Sequence, residues 1–378
     1  MKRAVVMLYG PYGQHPWQED MFHRPDKIQS DLKALGYGFA IAMVTHAPTG
    51  KDEIPEVRVA EDPLYDQKTG ILLEAHFKPG NLEDYPSIID HWVHNFQDEV
   101  QQADGTFQRT AYGIGLPPER VWNHKNVQTF GNRKELMNKV IVSEGVGIPT
   151  FAVLDYAQFT QQFDAYSPVI YKPQGGSRGI GIEVFKNIKE LHAAIQTDQI
   201  ATNGFIQPYL RNNQPIEGVK PLTKADDELL KKYNTKTDRP REIRMHVIAC
   251  TTEAGELLVE SYPIMKVSEP HLPYLKFKQA IGLDPSCLGP GSFIYDKTVA
   301  LARTVCAAAE VPQYYGVFDW LVDGDIHNPK NVYVVDGNCR GPGLPENALP
   351  AREAFQRALV TMGERCLGET KERLFCEG

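Results

Sequence analysis

The sequence has no run of apolar residues near the roughly 18 that a membrane-spanning helix requires, which excludes a helical integral membrane protein. It also has no CxxC or CxxxC pair. Its six cysteines (Cys250, Cys287, Cys306, Cys339, Cys366 and Cys376) are scattered, so neither a zinc site nor a disulfide framework is signalled, and buried free thiols are expected. Basic excess is missing too. The 40 Lys and Arg against 48 Asp and Glu give a formal charge of −8, which argues against nucleic acid as the principal ligand. No internal repeat and no triad-like arrangement is visible. His91 and His94 in DHWVHN could face a metal from a helix, but no third clustered ligand accompanies them. What remains is 378 residues of ordinary globular composition, 42% hydrophobic and 23% charged, long enough for two or three domains. The opening MKRAVVMLYGPYGQ carries a short apolar run, and a cytoplasmic location is expected.

The run KRAVVMLYG reads as a buried strand. A helix from about Pro25, with Ile28, Leu32 and Leu35 as its stripe, and the second run FAIAMV complete a β-α-β opening. Residues 46 to 85 are polar and rich in Pro, Gly and Asp, which suggests a long loop or irregular hairpin before the strand SIIDHWVHN. A helix is expected between Asn132 and Gly147. PVIYKPQGGSRGIGIEVF then reads as strand, glycine-rich turn and strand, followed by a helix with Asn187 and Glu190 as a capping box. FIQPYL is a short strand, a charged excursion holds a short helix around Ala225 to Lys232, and REIRMHVIA is an alternating strand. After LLVESYPIMKV and the helix FIYDKTVALARTVCAAAEV come two strands, YYGVFDWLV and NVYVVDGN.

Three constellations carry chemistry. Lys172 ends a strand beside a loop with glycines at 175, 176, 179 and 181, where backbone N–H groups and an ammonium could hold phosphate oxygens. The glycines lead into a strand, so this is neither a Walker loop nor a Rossmann fingerprint. Asp319, Asp336 and Asn338 can reach one sheet face, with Asp319 one diagonal away from the other two, as hard oxygen donors for Mg²⁺. A pair of strand ends with turn-forming Asp and Asn is the plainer alternative. Arg244 shares a strand face with Glu242 and His246 and could hold a phosphate or a carboxylate, or pair structurally with an acid.

In order and spacing, these pieces over roughly residues 121 to 345 resemble the ATP-grasp superfamily, most closely its RimK-like and glutathione synthetase-like carboxylate–amine ligases. The resemblance implies a mixed α/β (α+β) chain of three parts. These are a Rossmann-like β-α-β domain over residues 1–124, a small α+β lid over 125–210 and an antiparallel-sheet domain with the metal ligands over 211–378. It implies ATP and Mg²⁺ (or Mn²⁺). Lys134, with Lys139 as a second candidate, and Lys172 would meet the phosphates, under a flexible loop from Gln174 to Gly181 that includes Gly175, Gly176, Ser177 and Gly179. The segment Gln207, Pro208, Tyr209 and Leu210 would form the adenine hinge, Arg244 would sit near the transferring phosphoryl group, and Asp319, Asp336 and Asn338 would hold metal. Pro208 replaces the family's hinge Glu, Asp336 its metal-binding Glu, and Asn338-Cys339-Arg340 its Asn-Pro. Glu217 is the candidate ribose-binding acid, and Lys266 and Arg340 are candidates for a substrate carboxylate.

The function implied is amide-bond formation between a small-molecule carboxylate and an amine through an acyl phosphate, with no nucleic-acid or membrane partner and a homodimer left open. Lys172 and Arg244 would serve the chemistry by neutralising charge on the transferring phosphoryl group. Two alternatives stand beside it: a kinase acting on a small hydroxyl substrate, and a nucleotide-binding regulatory protein without turnover.

Overall fold

The computed structural model describes residues 2–9, 25–45, 53–90, 97–101, 107–111, 114–132, 134–173, 181–210, 213–252, 254–271, 277–339 and 347–376. Strand β1 (Ala4–Tyr9), helix α1 (Pro25–Ala34) and strand β2 (Gly38–Val44) form the β-α-β unit, with β1 and β2 parallel from Ala4↔Gly38 to Tyr9↔Met43. Ile28 and Leu32 are buried, but Leu35 lies past the helix end and is exposed. The polar stretch that follows supplies β3 (Val57–Glu61), antiparallel to β2, a hairpin of β4 (Leu64–Tyr65) and β5 (Leu72–Glu74), and the edge strand β6 (Lys78–Gly80). Strand β7 (Ser87–Asp90) then pairs in parallel on the other side of β1. After the ribbon of β8 (Gln97–Gln101) and β9 (Phe107–Ala111), strand β10 (Val121–Trp122) completes a sheet of order β10-β7-β1-β2-β3-β6. Both faces of β1 are covered, which is why it reads as one apolar run.

Helices α2 (Lys125–Asn132) and α3 (Lys134–Ser143) follow. Their buried Val127, Phe130, Met137, Val140 and Ile141 join the core of the C-terminal sheet rather than the lid that the division at residue 125 would put them in. The lid is a separate small unit. It contains β11 (Phe151–Ala152), α4 (Tyr156–Gln162), β12 (Val169–Lys172), β13 (Glu183–Phe185), α5 (Ile188–Gln196) and β14 (Phe205–Pro208), in an antiparallel sheet of order β11-β14-β12-β13. Helix α5 starts where the capping box predicts: Asn187 Oδ1 accepts from the N–H groups of Lys189 and Glu190. In the reciprocal bond Glu190 Oε2 accepts from the Lys186 N–H, one residue before the cap.

The third unit begins with α6 (Lys224–Tyr233), followed by β15 (Arg241–Thr251), β16 (Leu257–Ser268), β17 (Phe277–Gly282), α7 (Phe293–Ala309), β18 (Gln313–Asp323) and β19 (Asn331–Asn338). Its antiparallel sheet has the order β17-β16-β15-β18-β19. Ile243, Met245 and Val247 share one core with Leu301, Ala302 and Val305 of α7. The chain ends in α8 (Leu349–Cys376), a helix that the sequence reading does not contain. It packs on β15 and β16 and also on β7, β1 and α1, so Ile248 and Cys250 share a core with Phe355 and Ala358 and with the first domain's Val5 and Met7. Cys250, Cys287, Cys306, Cys339 and Cys366 are buried and in no disulfide. Among the described residues, no helix is long and apolar enough to cross a membrane.

Candidate active site

Antiparallel pairing puts Arg244 of β15 opposite Asp319 of β18, and Glu242 opposite Lys266 of β16. The Arg244 guanidinium grips Asp319 with two bonds, Nε to Oδ1 at 2.8 Å and Nη2 to Oδ2 at 2.9 Å. Lys266 Nζ donates to Asp319 Oδ2 at 2.8 Å and reaches Glu242 Oε2 at 3.4 Å. Burial works against the Asp319 carboxylate, but Arg244 and Lys266 override it and hold the group well below the usual carboxylate range. Glu242 goes the other way: burial lifts it, Lys266 pulls it down and Asp319 adds to the lift, leaving it at about 7. Further along the same face, His246 Nδ1 and the Tyr315 hydroxyl lie 2.7 Å apart, and burial followed by the Arg244 charge pushes the imidazole down to about 3, so it is neutral.

The second half of the site depends on an irregularity in β19. Trp320 pairs with Val334, yet Asp319 pairs with Asp336, so Val335 is an extra residue with no partner across the ladder. The slip brings Asp336 directly opposite Asp319 instead of on a diagonal. It also frees the Val335 carbonyl, which accepts from Lys172 Nζ of the lid strand β12 at 2.9 Å. Asn338, opposite Val317, lies on the same face as Asp336. Burial lowers the Lys172 pKa, with Asp336 opposing and Lys134 adding to the effect.

Between lid and sheet lies a cleft lined by Lys134, Asn138, Lys172, Gln207 and Asp336, with Met137, Phe205, Val335 and Gly337 as its apolar and backbone walls. Helix α3 can come this close because residue 337 is glycine: an added Cβ would stand 2.7 Å from Met137 Sδ. Of the two candidate lysines on α3, Lys134 lines the cleft, whereas Lys139 is exposed and does not. Gln207 donates through Nε2 to Thr150 Oγ1 at 2.7 Å. Two ammonium groups and a carboxylate thus face one space above the Arg244–Asp319 pair. Ammonium groups beside a carboxylate are the charge types that suit a polyphosphate and its counter-ion.

A family model, that of the tubulin-tyrosine ligase family, matches residues 143–220, the lid and the segment after it. No curated protein sequence matches the chain. Among solved structures, the D-alanine-D-alanine ligase from Coxiella burnetii superposes with a TM-score of 0.51 over 100% of this chain and 99% of its own, at 12% identity. The D-alanyl-alanine synthetase A from Vibrio cholerae O1 biovar eltor gives 0.51, 12% identity, and 97% and 99% coverage. The chain has the ATP-grasp fold. At this identity the likeness is one of architecture.

The remaining expected site positions fall in four places. Gly175, Gly176, Ser177 and Gly179, expected as a phosphate loop, lie outside the described residues, as do Arg340, His91 and His94. Pro208, Tyr209 and Leu210 follow Gln207 at the end of β14, where Pro208 pairs with Val169 and the Tyr209 N–H donates to the Pro168 carbonyl at 2.9 Å. Glu217 is placed elsewhere: its backbone bonds to Gly324 and Ile326, at the β18–β19 turn and away from the cleft. Lys266 is buried against Asp319 and Glu242. Among the described residues, no group of three His, Cys, Asp or Glu side chains gathers as a metal site. The expected donor set has two acids and an amide, and it suits a hard cation. Asp319 Oδ1 takes one cationic donor, Arg244 Nε, whereas Oδ2 takes two, Arg244 Nη2 and Lys266 Nζ, so the lone pair left for a cation is on Oδ1, while Asp336 is exposed. The Val335 carbonyl and the Thr150 hydroxyl have no signal in the sequence, because a bulge and a contact between two units are visible only after folding.

Proposed function

We propose that this chain is an ATP-dependent ligase that joins a carboxylate to an amine through an acyl phosphate, releasing ADP and phosphate. The observation that carries the reading is the cleft, where Lys134, Lys172 and Asp336 come from three separate elements onto one space above Arg244 and Asp319. The structural neighbours named above are a D-alanine-D-alanine ligase and a D-alanyl-alanine synthetase by name, which supports the same general reaction.

A carboxylate is a poor electrophile, and phosphorylation supplies it with a leaving group. Lys134 and Lys172 would meet phosphate oxygens, and Arg244 would stabilise charge as the phosphoryl group moves. Asp319, Asp336 and Asn338 would hold Mg²⁺ or Mn²⁺, which when bound supplies charge neutralisation to the phosphates. Pairing with Arg244 and Lys266 keeps Asp319 ionised. No nucleophilic side chain is required, since the substrate carboxylate attacks ATP and the amine attacks the acyl phosphate. Lys266 is a candidate partner for a substrate carboxylate if its bond to Glu242 opens.

The test is product analysis with a panel of amino acids and dipeptides. Equal amounts of ADP and phosphate together with an amide product are expected. AMP and pyrophosphate would overturn the reading, and ADP with a phosphorylated alcohol would replace it by a kinase.

A further inference from the structure

Helix α8 carries two polar side chains whose burial the site described above does not explain. Arg352 is 7% exposed and Gln356 3%, and among the described residues neither Arg352 Nε nor Gln356 Nε2 has a hydrogen-bond partner. Folded proteins rarely bury a donor without an acceptor, and a guanidinium in that position calls for an anion.

The place of these two side chains follows from the helix around them. Arg352, Gln356, Leu359 and Gly363 fall on one stripe, at i, i+4, i+7 and i+11. The far end of the stripe is anchored on the first domain. The Leu359 carbonyl accepts from Ser87 Oγ at 2.8 Å, and a Cβ at Gly363 would stand 2.7 Å from the Tyr37 hydroxyl. Ser87 opens β7 and Tyr37 directly precedes β2, so moving back along α8 from Leu359 means moving toward the carboxyl ends of the parallel strands. At about 1.5 Å per residue, Arg352 lies roughly 10 Å beyond Leu359. Three steps of β7 cover about the same length, which sets Arg352 level with the paired ends Leu8 and Asp90 of β1 and β7.

That position is distinctive for two reasons. Sheet growth reverses between β1 and β7, since β2 lies on one side of β1 and β7 on the other, and open α/β sheets take ligands at the carboxyl ends beside such a switch point. The start of α8, in turn, stands over the row that carries Arg244. The Asn347 carbonyl sits 2.6 Å from where a Cβ of Gly282 would be, and Gly282 pairs with Ile264, which pairs with Arg244. Two strand spacings, about 10 Å, separate Gly282 from Arg244.

We propose that Arg352 and Gln356 form a carboxylate-binding subsite between the β1–β7 switch point and the Arg244 row. A planar guanidinium and an amide N–H match a planar carboxylate. That this carboxylate is a substrate's non-reacting group, as in an amino acid or a peptide, rests on the ligase reading. The subsite itself does not.

The test uses the full chain without nucleotide, with glycylglycine as the carboxylate probe and glycinamide as the control that lacks one. Millimolar glycylglycine should raise the unfolding midpoint of the wild type and glycinamide should not. Arg352→Met and Gln356→Leu should unfold at or above the wild-type temperature, because each replaces an unpaired buried donor by an apolar group. Arg352→Met should also bind glycylglycine at least about tenfold more weakly, with ATP affinity unchanged. A midpoint several degrees lower in Arg352→Met would show a structural partner and overturn the proposal. So would a glycylglycine response that is absent in the wild type or equal in the variant. Failure of the wild type to bind ATP would instead strike the ligase reading and leave the subsite standing.

Discussion

The two faces of strand β15 have the same length, the same neighbours and opposite contents. Ile243, Met245, Val247 and Ala249 are fully buried in the core shared with α7. On the other face, Glu242, Arg244 and His246 meet Lys266, Asp319 and Tyr315 before the strand turns apolar again at Ile248 and Cys250 under α8. One face is built by excluding water, the other by cancelling charges that water would otherwise have solvated. A hydrophobic face fails gradually when a methyl group is removed. A charged face fails abruptly when one partner goes, because the groups left behind are ions.

The largest effect should follow from Asp319→Ala, which leaves the buried Lys266 and the half-buried Arg244 without their shared carboxylate. Loss of about 3 to 5 kcal/mol of stability is expected, measured by denaturant titration. A loss below about 1 kcal/mol would mean the network is wetter than its burial implies. Asp336→Asn tests the exposed carboxylate across the ladder. Turnover should fall by about 10²-fold to 10³-fold, roughly 3 to 4 kcal/mol of barrier, with unfolding unchanged and only partial rescue by excess Mg²⁺. Wild-type rates would remove Asp336 from the chemistry. On the opposite face, Met245→Ala should cost about 2 to 5 kcal/mol through the cavity it opens while nucleotide affinity stays at the wild-type level in the folded fraction. A changed ATP affinity there would break the division between the faces.

The smallest of these effects is a pH slope. Folded Glu242 keeps its proton up to about 7, whereas an unfolded glutamate releases it near 4.5. The folded chain therefore binds the extra proton in this window. Glu242 contributes stability that is complete below about pH 4.5 and is lost as pH rises through about 7. Glu242→Gln should flatten that part of the stability profile, read as unfolding midpoint against pH. An unchanged slope would assign it to another group.

The fold was legible where short-range chemistry decides it. Apolar runs marked β1 and β2, the Asn187 cap marked α5, and the strands around Lys172 and Asp319 lie where the sequence implied. Helix α8 was not legible because it is covered on two sides, by the C-terminal sheet and by the first domain, so its apolar residues form no single stripe. Helices α2 and α3 were assigned to the lid by their place in the chain but pack with the C-terminal core, a choice made by Val127, Met137 and Ile141 finding partners far away in sequence. In the site, residue types were readable but register was not. Periodicity puts Asp319 on a diagonal from Asp336, and one extra residue at Val335 makes them direct partners.

Lys172 joins the lid to the bulged strand, and through it the account is tested most directly. Its ammonium has the Val335 carbonyl as a neutral partner, so its charge is available to a ligand. ATP binding to Lys172→Ala, followed by calorimetry beside a thermal unfolding scan of the same sample, should show affinity reduced by about tenfold to a hundredfold, the value of a charge-assisted hydrogen bond, in a protein that unfolds no earlier than the wild type. Unchanged ATP affinity in a stably folded variant would contradict the account, because the cleft between lid and sheet would then not be the place where the nucleotide's phosphates bind.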